Sequence, residues 1–171
     1  MARYIALLRG VSPQNAKMPL LKACLEEAGY TEVRTLLSSG NVVFDGRATP
    51  LPTLEKRLEK VIEAGMGRHF PVILRRQDQL QAWLDADPFA GHALPADAKR
   101  IVTFLRQAPE APPALPLVAE GVRILALSGT QVLSAYQPHE DGPLFMRRLE
   151  QLFGREITTR TLDTVKKCLK A

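Results

Sequence analysis

Residues 33–44 read VRTLLSSGNVVF, and residues 122–133 read VRILALSGTQVL. Overlaid without a gap at an offset of 89, six of the twelve positions are identical: Val33/Val122, Arg34/Arg123, Leu36/Leu125, Ser39/Ser128, Gly40/Gly129 and Val43/Val132. Two apolar runs joined by Ser-Gly are the pattern of two short strands and a tight turn, with glycine where a positive φ is needed. A chain that writes one hairpin twice is expected to build each half around its own copy.

The flanking sequence supports that division. Residues 2–9, ARYIALLR, form an apolar run ending at Gly10 and are expected to be the first strand. After a loop at 10–17, Met18-Pro19 opens a helix in which Leu20, Leu21, Cys24, Leu25 and Ala28 recur at three- and four-residue steps up to Gly29. Beyond the hairpin, Leu54, Leu58, Val61 and Ile62 mark a second helix ending near Gly67, residues 71–74 a fourth strand, and residues 77–85 a third helix. In the second half, residues 100–106 match residues 3–9 in pattern and in both flanking arginines. A proline-rich stretch with Leu115 and Leu117 stands where the first helix stood and is expected as a short or irregular helix. The second hairpin follows, then a helix through Leu144, Phe145, Leu149 and Leu152, a strand around Ile157, and a helix burying Leu162, Val165, Cys168 and Leu169. At an offset of 85, Val72 falls on Ile157, Arg75 on Arg160 and Leu84 on Leu169.

Each half therefore reads β-α-β-β-α-β plus a trailing helix. The expected class is α+β, a tandem duplication of two ferredoxin-like halves, residues 1–93 and 97–171, packed as one compact unit. The break falls at GHALPA, residues 91–96. Runs such as IALL, VVF and IVTFL are apolar at every position, whereas a sheet with one wet face alternates. A cover over the second sheet face is expected, from the other half or from a second subunit.

Composition removes several classes of function. Hydrophobic residues make up 46% of the chain, yet the longest apolar runs are far too short to span a bilayer. The start, Met-Ala-Arg-Tyr, enters a strand at once, so no secretory leader is expected and a cytoplasmic location is. Cys24 and Cys168 lie at helical spacing among leucines and read as small core hydrophobes, with no metal and no disulfide implied. The net charge of +5 splits into +2 over residues 1–88 and +3 over 89–171, with no basic arm to hold a nucleic acid. His69, His92 and His139 share no metal-ligand spacing and read as surface histidines, and Glu26-Glu27 and Glu140-Asp141 as ordinary surface charges. No phosphate-loop, dinucleotide or nucleophile-elbow motif is present, and no catalytic residue is named.

Three loops carry the chemistry that remains. Arg9 to Lys17 precede a helix N-terminus, where unpaired N–H groups and the helix dipole favour an anion. Ser38, Ser39, Gly40 and Asn41 form the first hairpin turn. Thr158, Thr159 and Arg160 place hydroxyls and a guanidinium ahead of the last helix. Each group also has a plain structural role: turn formation for Ser39-Gly40-Asn41, helix capping for Thr159 or Thr161, a strand-end charge for Arg9.

YIALLRGV at residues 4–11, KMPLLKACLEEAGYTEVRT at 17–35, SSGNVVF at 38–44 and TTRTLDTVKK at 158–167 resemble a bacterial family of unknown function, DUF1697. The resemblance covers almost the whole chain. It implies a cytosolic α+β protein with ferredoxin-like halves and brings no established activity. Two departures stand out. The family's G-I-N-V-G-G-type loop is here Gly10-Val-Ser-Pro-Gln-Asn, which loses a glycine pair and, at Pro13, a backbone donor. The family's T-T-R-N-W-N-T-V is here Thr158-Thr-Arg-Thr-Leu-Asp-Thr-Val165, so its tryptophan platform is replaced by Leu162.

The sequence supports three functions. The first is binding of a small anionic or nucleotide-like ligand between the halves, through Arg9, Lys17, Ser39, Asn41, Thr159 and Arg160, with no cofactor. The second is an assembly module without a small ligand, dimerising through a sheet face. The third, single-stranded nucleic-acid binding, ranks last; it would need Tyr4, Phe44, Phe104 or Tyr136 exposed on a sheet face.

Overall fold

The structure, a computed structural model, describes residues 1–119, 122–137 and 142–171. His139 and the Glu140-Asp141 pair lie outside the described residues. The protein is α+β, with two antiparallel sheets, and divides into two compact units, Met1–Leu84 with Lys166–Ala171, and Asp85–Val165. No helix among the described residues is long and apolar enough to cross a membrane.

In the first unit, β1 (Ala2–Leu8), β2 (Thr31–Leu36), β3 (Asn41–Gly46) and β4 (Val72–Arg76) pair in the order β2-β3-β1-β4. Helices α1 (Met18–Glu27) and α2 (Leu51–Met66) connect β1 to β2 and β3 to β4, and α3 (Gln77–Asp85) follows β4 directly. The 3.6-residue spacing of Leu21, Cys24 and Leu25 on α1, and of Leu54, Leu58 and Ile62 on α2, aims one stripe of each helix at the sheet. There the helices meet Tyr4, Ala6, Leu8, Val42, Phe44, Val72 and Leu74 in one core. Gly67, with φ of 73°, closes α2 in the left-handed conformation.

The outer edge of β4 is sealed by carboxylates. Along β1 and β4, the residues opposite each other in non-hydrogen-bonded positions leave the Val72 and Leu74 N–H groups pointing out of the sheet. Glu59 Oε2 accepts the Val72 N–H and Glu55 Oε2 accepts the Leu74 N–H, each at 2.9 Å. Two carboxylates one helical turn apart on α2 thus satisfy two donors two residues apart on the strand, because about 6 Å is the step of both. The chain's last residues belong to this unit: Arg3 bonds Asp45 at 2.8 Å and donates to the Ala171 carbonyl at 3.3 Å, and Gln77 donates to the Leu169 carbonyl at 3.3 Å.

In the second unit, β5 (Lys99–Leu105), β6 (Leu117–Ala119), β7 (Val122–Ser128), β8 (Gln131–Tyr136) and β9 (Ile157–Thr161) form a sheet of order β6-β7-β8-β5-β9. Helix α4 (Gly142–Phe153) lies between β8 and β9, and α5 (Leu162–Lys170) follows β9. Ile101, Leu105, Ile124, Val132, Phe145, Leu149 and Ile157 form its core. The helix expected near Leu115 and Leu117 does not form; that stretch supplies the edge strand β6 instead. Pro109, Pro112, Pro113 and Pro116 withdraw four N–H donors within eight residues, which a helix cannot absorb and an edge strand entered after Pro116 can.

The two hairpins differ where the sequence made them look alike. Asn41 pairs with both Leu7 and Leu36, leaving four residues, 37–40, in the first turn. Gln131 pairs with Phe104 and Ser128, leaving only Gly129 and Thr130 in the second. Matching hydrogen bonds, Leu8 N–H to Gly40 O at 2.9 Å and Leu105 N–H to Thr130 O at 2.8 Å, equate Gly40 with Thr130. The ungapped overlay, which equates Gly40 with Gly129, is out of step with the sheet by one residue on this strand.

The central strands of both sheets are buried on both faces. Opposite the helices, Ile5, Leu7, Val43 and Ile73 in one unit and Val102, Phe104, Leu133 and Ala135 in the other are at most 3% exposed. This burial is reached within one copy of the chain, so the second subunit entertained as a cover is not required.

Candidate functional site

The expected site residues fall into two groups. Arg9, Lys17, Ser39 and Asn41 lie in the first unit, Thr159 and Arg160 in the second.

In the first unit, the loop after β1 and the hairpin turn meet. A Cβ at Gly40, whose φ is +86°, would press on Val11 and Leu8, so glycine there permits both the turn and the contact. The loop is braced internally: Asn15 Oδ1 accepts the Ser12 N–H at 2.8 Å, and Asn15 Nδ2 donates to the Gly10 carbonyl at 2.8 Å. The Lys17 ammonium turns back to the Pro13 carbonyl at 3.1 Å. Asn41 has no exposed surface, and its amide donates to the Leu36 carbonyl at 3.0 Å and to Ser39 Oγ at 2.9 Å. Arg9 is half-buried, and its N–H reaches the Pro71 carbonyl. These bonds shape the turn and loop themselves.

In the second unit, β9 alternates a guanidinium and hydroxyls across the sheet. Arg160 is 8% exposed and donates through Nη1 to Thr158 Oγ1 at 2.7 Å and to the Thr159 carbonyl at 2.9 Å. Arg75 repeats this on β4, donating to the Leu74 carbonyl at 2.8 Å. The ladders place Arg75 opposite Ile5 and Arg160 opposite Val102. Burial pushes the Arg75 guanidinium down to about 10 while the charge of Glu55 pulls it back up, which leaves it protonated at neutral pH. On the other face of β9, Thr159 Oγ1 lies 3.1 Å from Thr103 Oγ1. Thr161 Oγ1 accepts the Thr164 N–H at 3.2 Å, the expected cap of the last helix.

A cavity of about 320 Å³ opens over this face. Thr159, Arg160 and Thr161 form its β9 wall, Ile101 its floor, and Tyr136, Phe145 and Met146 its apolar side. Tyr136 and Phe145 hold their ring centroids 5.4 Å apart. The first unit has a depression of about 400 Å³ at the start of α2, beside Arg76 and Gln79. There the Arg76 guanidinium is engaged by both Asp78 oxygens, at 3.1 and 2.9 Å. The second-unit cavity is the better-built of the two, since it joins the Thr159 and Thr161 hydroxyls to an aromatic wall, while the Arg160 guanidinium turns to the opposite face of β9 and Thr158.

Sequence reading found Thr159 and Arg160 but missed the apolar side of this cavity. It also missed Ser134, which lies directly across the ladder from Ile101. Ser134 is fully buried, and its hydroxyl has no hydrogen-bond partner among the described residues. Ser134→Ala is expected to stabilise the protein by about 1 kcal/mol, because it removes a donor that is desolvated without compensation. Urea unfolding checks this, and a loss of stability on substitution contradicts it.

His69 is exposed and lies 3.6 Å from Glu63, and among the described residues no cluster suits a metal ion. Tyr4, Phe44 and Phe104, three of the four rings a base would need for stacking, have no exposed surface.

Comparison with known proteins gives a family and a fold. A family model described as "Protein of unknown function (DUF1697)" matches residues 1–131. A solved structure of a conserved bacterial protein from Streptococcus pneumoniae is similar over 99% of this chain and 97% of that one, with a TM-score of 0.71 and 18% identity. No curated protein matches the sequence.

Proposed function

The chain belongs to the DUF1697 family of proteins of unknown function, and from there we propose that it binds a small anionic or nucleotide-like ligand in the cavity of its second unit. One observation carries this reading: Thr159, Arg160 and Thr161 share a cavity of ligand size with Tyr136 and Phe145. The Thr159 and Thr161 hydroxyls suit the oxygens of an anion, and the apolar side suits a ring. These side chains bind and orient; they do not move protons at neutral pH, so the reading is of binding. Arg9, Lys17, Ser39 and Asn41 then shape the first unit.

The same reading takes the two units as ferredoxin-like copies, the second having exchanged its first helix for an edge strand. The matching strand orders, β2-β3-β1-β4 and β7-β8-β5-β9, and the paired Arg75 and Arg160 support it. An assembly role through a sheet face has less support, since the central strands are already buried on both faces.

A thermal-shift screen of phosphates, nucleotides and carboxylates tests the proposal. A ligand at about 100 times its Kd stabilises by about 2.7 kcal/mol, a rise of roughly 5–10 °C in a chain of this size. That rise is expected for the parent protein and is expected to shrink in Thr161→Val, measured against the variant's own ligand-free Tm because the substitution also removes the cap of α5. A screen in which no compound raises Tm, or in which Thr161→Val and the parent respond alike, overturns it.

A further inference from the structure

The two sheets allow a position-by-position comparison that shows what this cavity lacks. Tyr4 pairs with Phe44 on one side and Arg76 on the other. Ile101 pairs with Ser134 and Thr161. By register, Ile101 stands where Tyr4 stands, Ser134 where Phe44 stands, and Thr161 where Arg76 stands. Next along the same face, Ala6 and Leu74 of the first unit become Thr103 and Thr159 of the second.

In the first unit this place is filled by a ring. Tyr4 is fully buried and stacks on Phe44 at 5.6 Å between centroids. Its hydroxyl accepts the Thr49 N–H at 3.0 Å and lies 3.4 and 3.5 Å from the Thr49 and Arg47 carbonyls. The second unit has an aliphatic side chain and a serine at these two positions, and its cavity lies over Ile101. Two rings have been removed from a core position, and polar hydroxyls stand around the gap.

We infer that the cavity of the second unit takes a single aromatic ring bearing an oxygen substituent, of the phenol or benzoate class, seated where the first unit holds the ring of Tyr4. The inference rests on the proposed ligand site; benzoate is an anion of the proposed class, and a phenol offers the same ring and oxygen without the charge. An apolar cavity of about 150 Å³ is enough for benzene, so 320 Å³ holds one ring and its substituents. Tyr136 and Phe145 supply the aromatic contacts that stacked and edge-to-face geometries favour. Thr159 and Thr161 on β9 supply hydroxyls for the ring oxygen, the role that the Thr49 backbone plays for Tyr4.

The test uses p-cresol, which is the tyrosine side chain as a free molecule, with benzoate beside it and cyclohexanol and AMP as controls. On full-length protein with labelled methyl groups, p-cresol is expected to bind saturably and to shift the Ile101 and Met146 methyl resonances through its ring current. Ile101→Tyr, which supplies the ring covalently, is expected to weaken p-cresol at least tenfold and to raise Tm. If Ile101→Tyr does not fold, Thr161→Val takes its place; it loses the α5 cap and is expected to weaken p-cresol severalfold while amide shifts of the sheet stay unchanged. Shifts at Ile101 and Met146 with AMP and none with p-cresol or benzoate overturn the aromatic inference and leave the ligand-binding function standing. Equal p-cresol affinity in the parent and in Ile101→Tyr also overturns it, because the ring is then bound elsewhere. Cyclohexanol binding as tightly as p-cresol overturns the aromatic requirement. No response to any probe removes both readings.

Discussion

Glu55→Ala is expected to cost about 3–5 kcal/mol, the range for removing one partner from a buried charge-bearing contact. Glu55 is 3% exposed, and its Oε2 is the acceptor for the Leu74 N–H, which lies in a strand position with no exposed surface. The substitution leaves that N–H desolvated and unpaired, a penalty of about 1–3 kcal/mol by itself. It also takes a negative charge from near Arg75, a residue 9% exposed whose charged form is disfavoured by burial and favoured by Glu55. Glu55→Gln keeps an acceptor for Leu74 and loses only the charge, so it is expected to cost less than half as much. Urea unfolding of the two variants measures both terms, and amide exchange at Leu74 is expected to accelerate in Glu55→Ala more than in Glu55→Gln. Equal stability of Glu55→Ala and the parent would mean that the β4 edge does not depend on this carboxylate.

Gly65→Ala is expected to reverse the usual sign of a glycine-to-alanine change in a helix. Gly65 lies inside α2, where alanine ordinarily gains about 1 kcal/mol. Here a Cβ at Gly65 would run into the Sγ of Cys24 on α1, and would also crowd the Cys24 Cβ at 3.4 Å. Cys24 is 6% exposed and belongs to the first core, so its sulfur has little room to turn. Overpacking of this kind costs about 1–3 kcal/mol. In a Cys24→Ala background the obstacle is gone, and Gly65→Ala is then expected to stabilise. The pair therefore forms a double-mutant cycle with a coupling of roughly 2 kcal/mol, within the range for residues in contact. Additive effects in that cycle would show that the helices separate at no cost.

Cys24 illustrates what was readable in the sequence. Its helical spacing among leucines marked it as a core residue, and burial does push its thiol above the ordinary range. That it sets how closely α1 and α2 approach was not readable, because Gly65 lies forty-one positions away on a helix whose rotation is fixed by packing. The Glu55–Glu59 pair was visible as two carboxylates at i and i+4, a spacing common on solvated helix faces. Nothing local separates such a pair from one turned toward a strand edge.

Local signals carried most of the fold. Glycines and prolines bounded the helices, period-two and unbroken apolar runs marked the strands, and unbroken runs correctly implied two buried sheet faces. The proline-rich segment takes the place of α1 in the order of elements, which alone points to a helix there. Its own chemistry, a run of missing donors, favoured an edge strand.

By itself, the sequence determined every element but β6, and their order, because these follow from spacing along one strand or helix and from turn residues. Only the tertiary structure decided which residues of the two hairpins correspond. The echo pairs Phe44 with Leu133, whereas the ladders pair Phe44 with Ser134, since one turn holds four residues and the other two. A one-residue slip moves a side chain to the opposite face of a sheet. Register is set by hydrogen bonds between strands distant in sequence, and it alone shows that the place of the stacked Tyr4 and Phe44 rings in one sheet is taken by Ile101 and Ser134, beside a cavity, in the other.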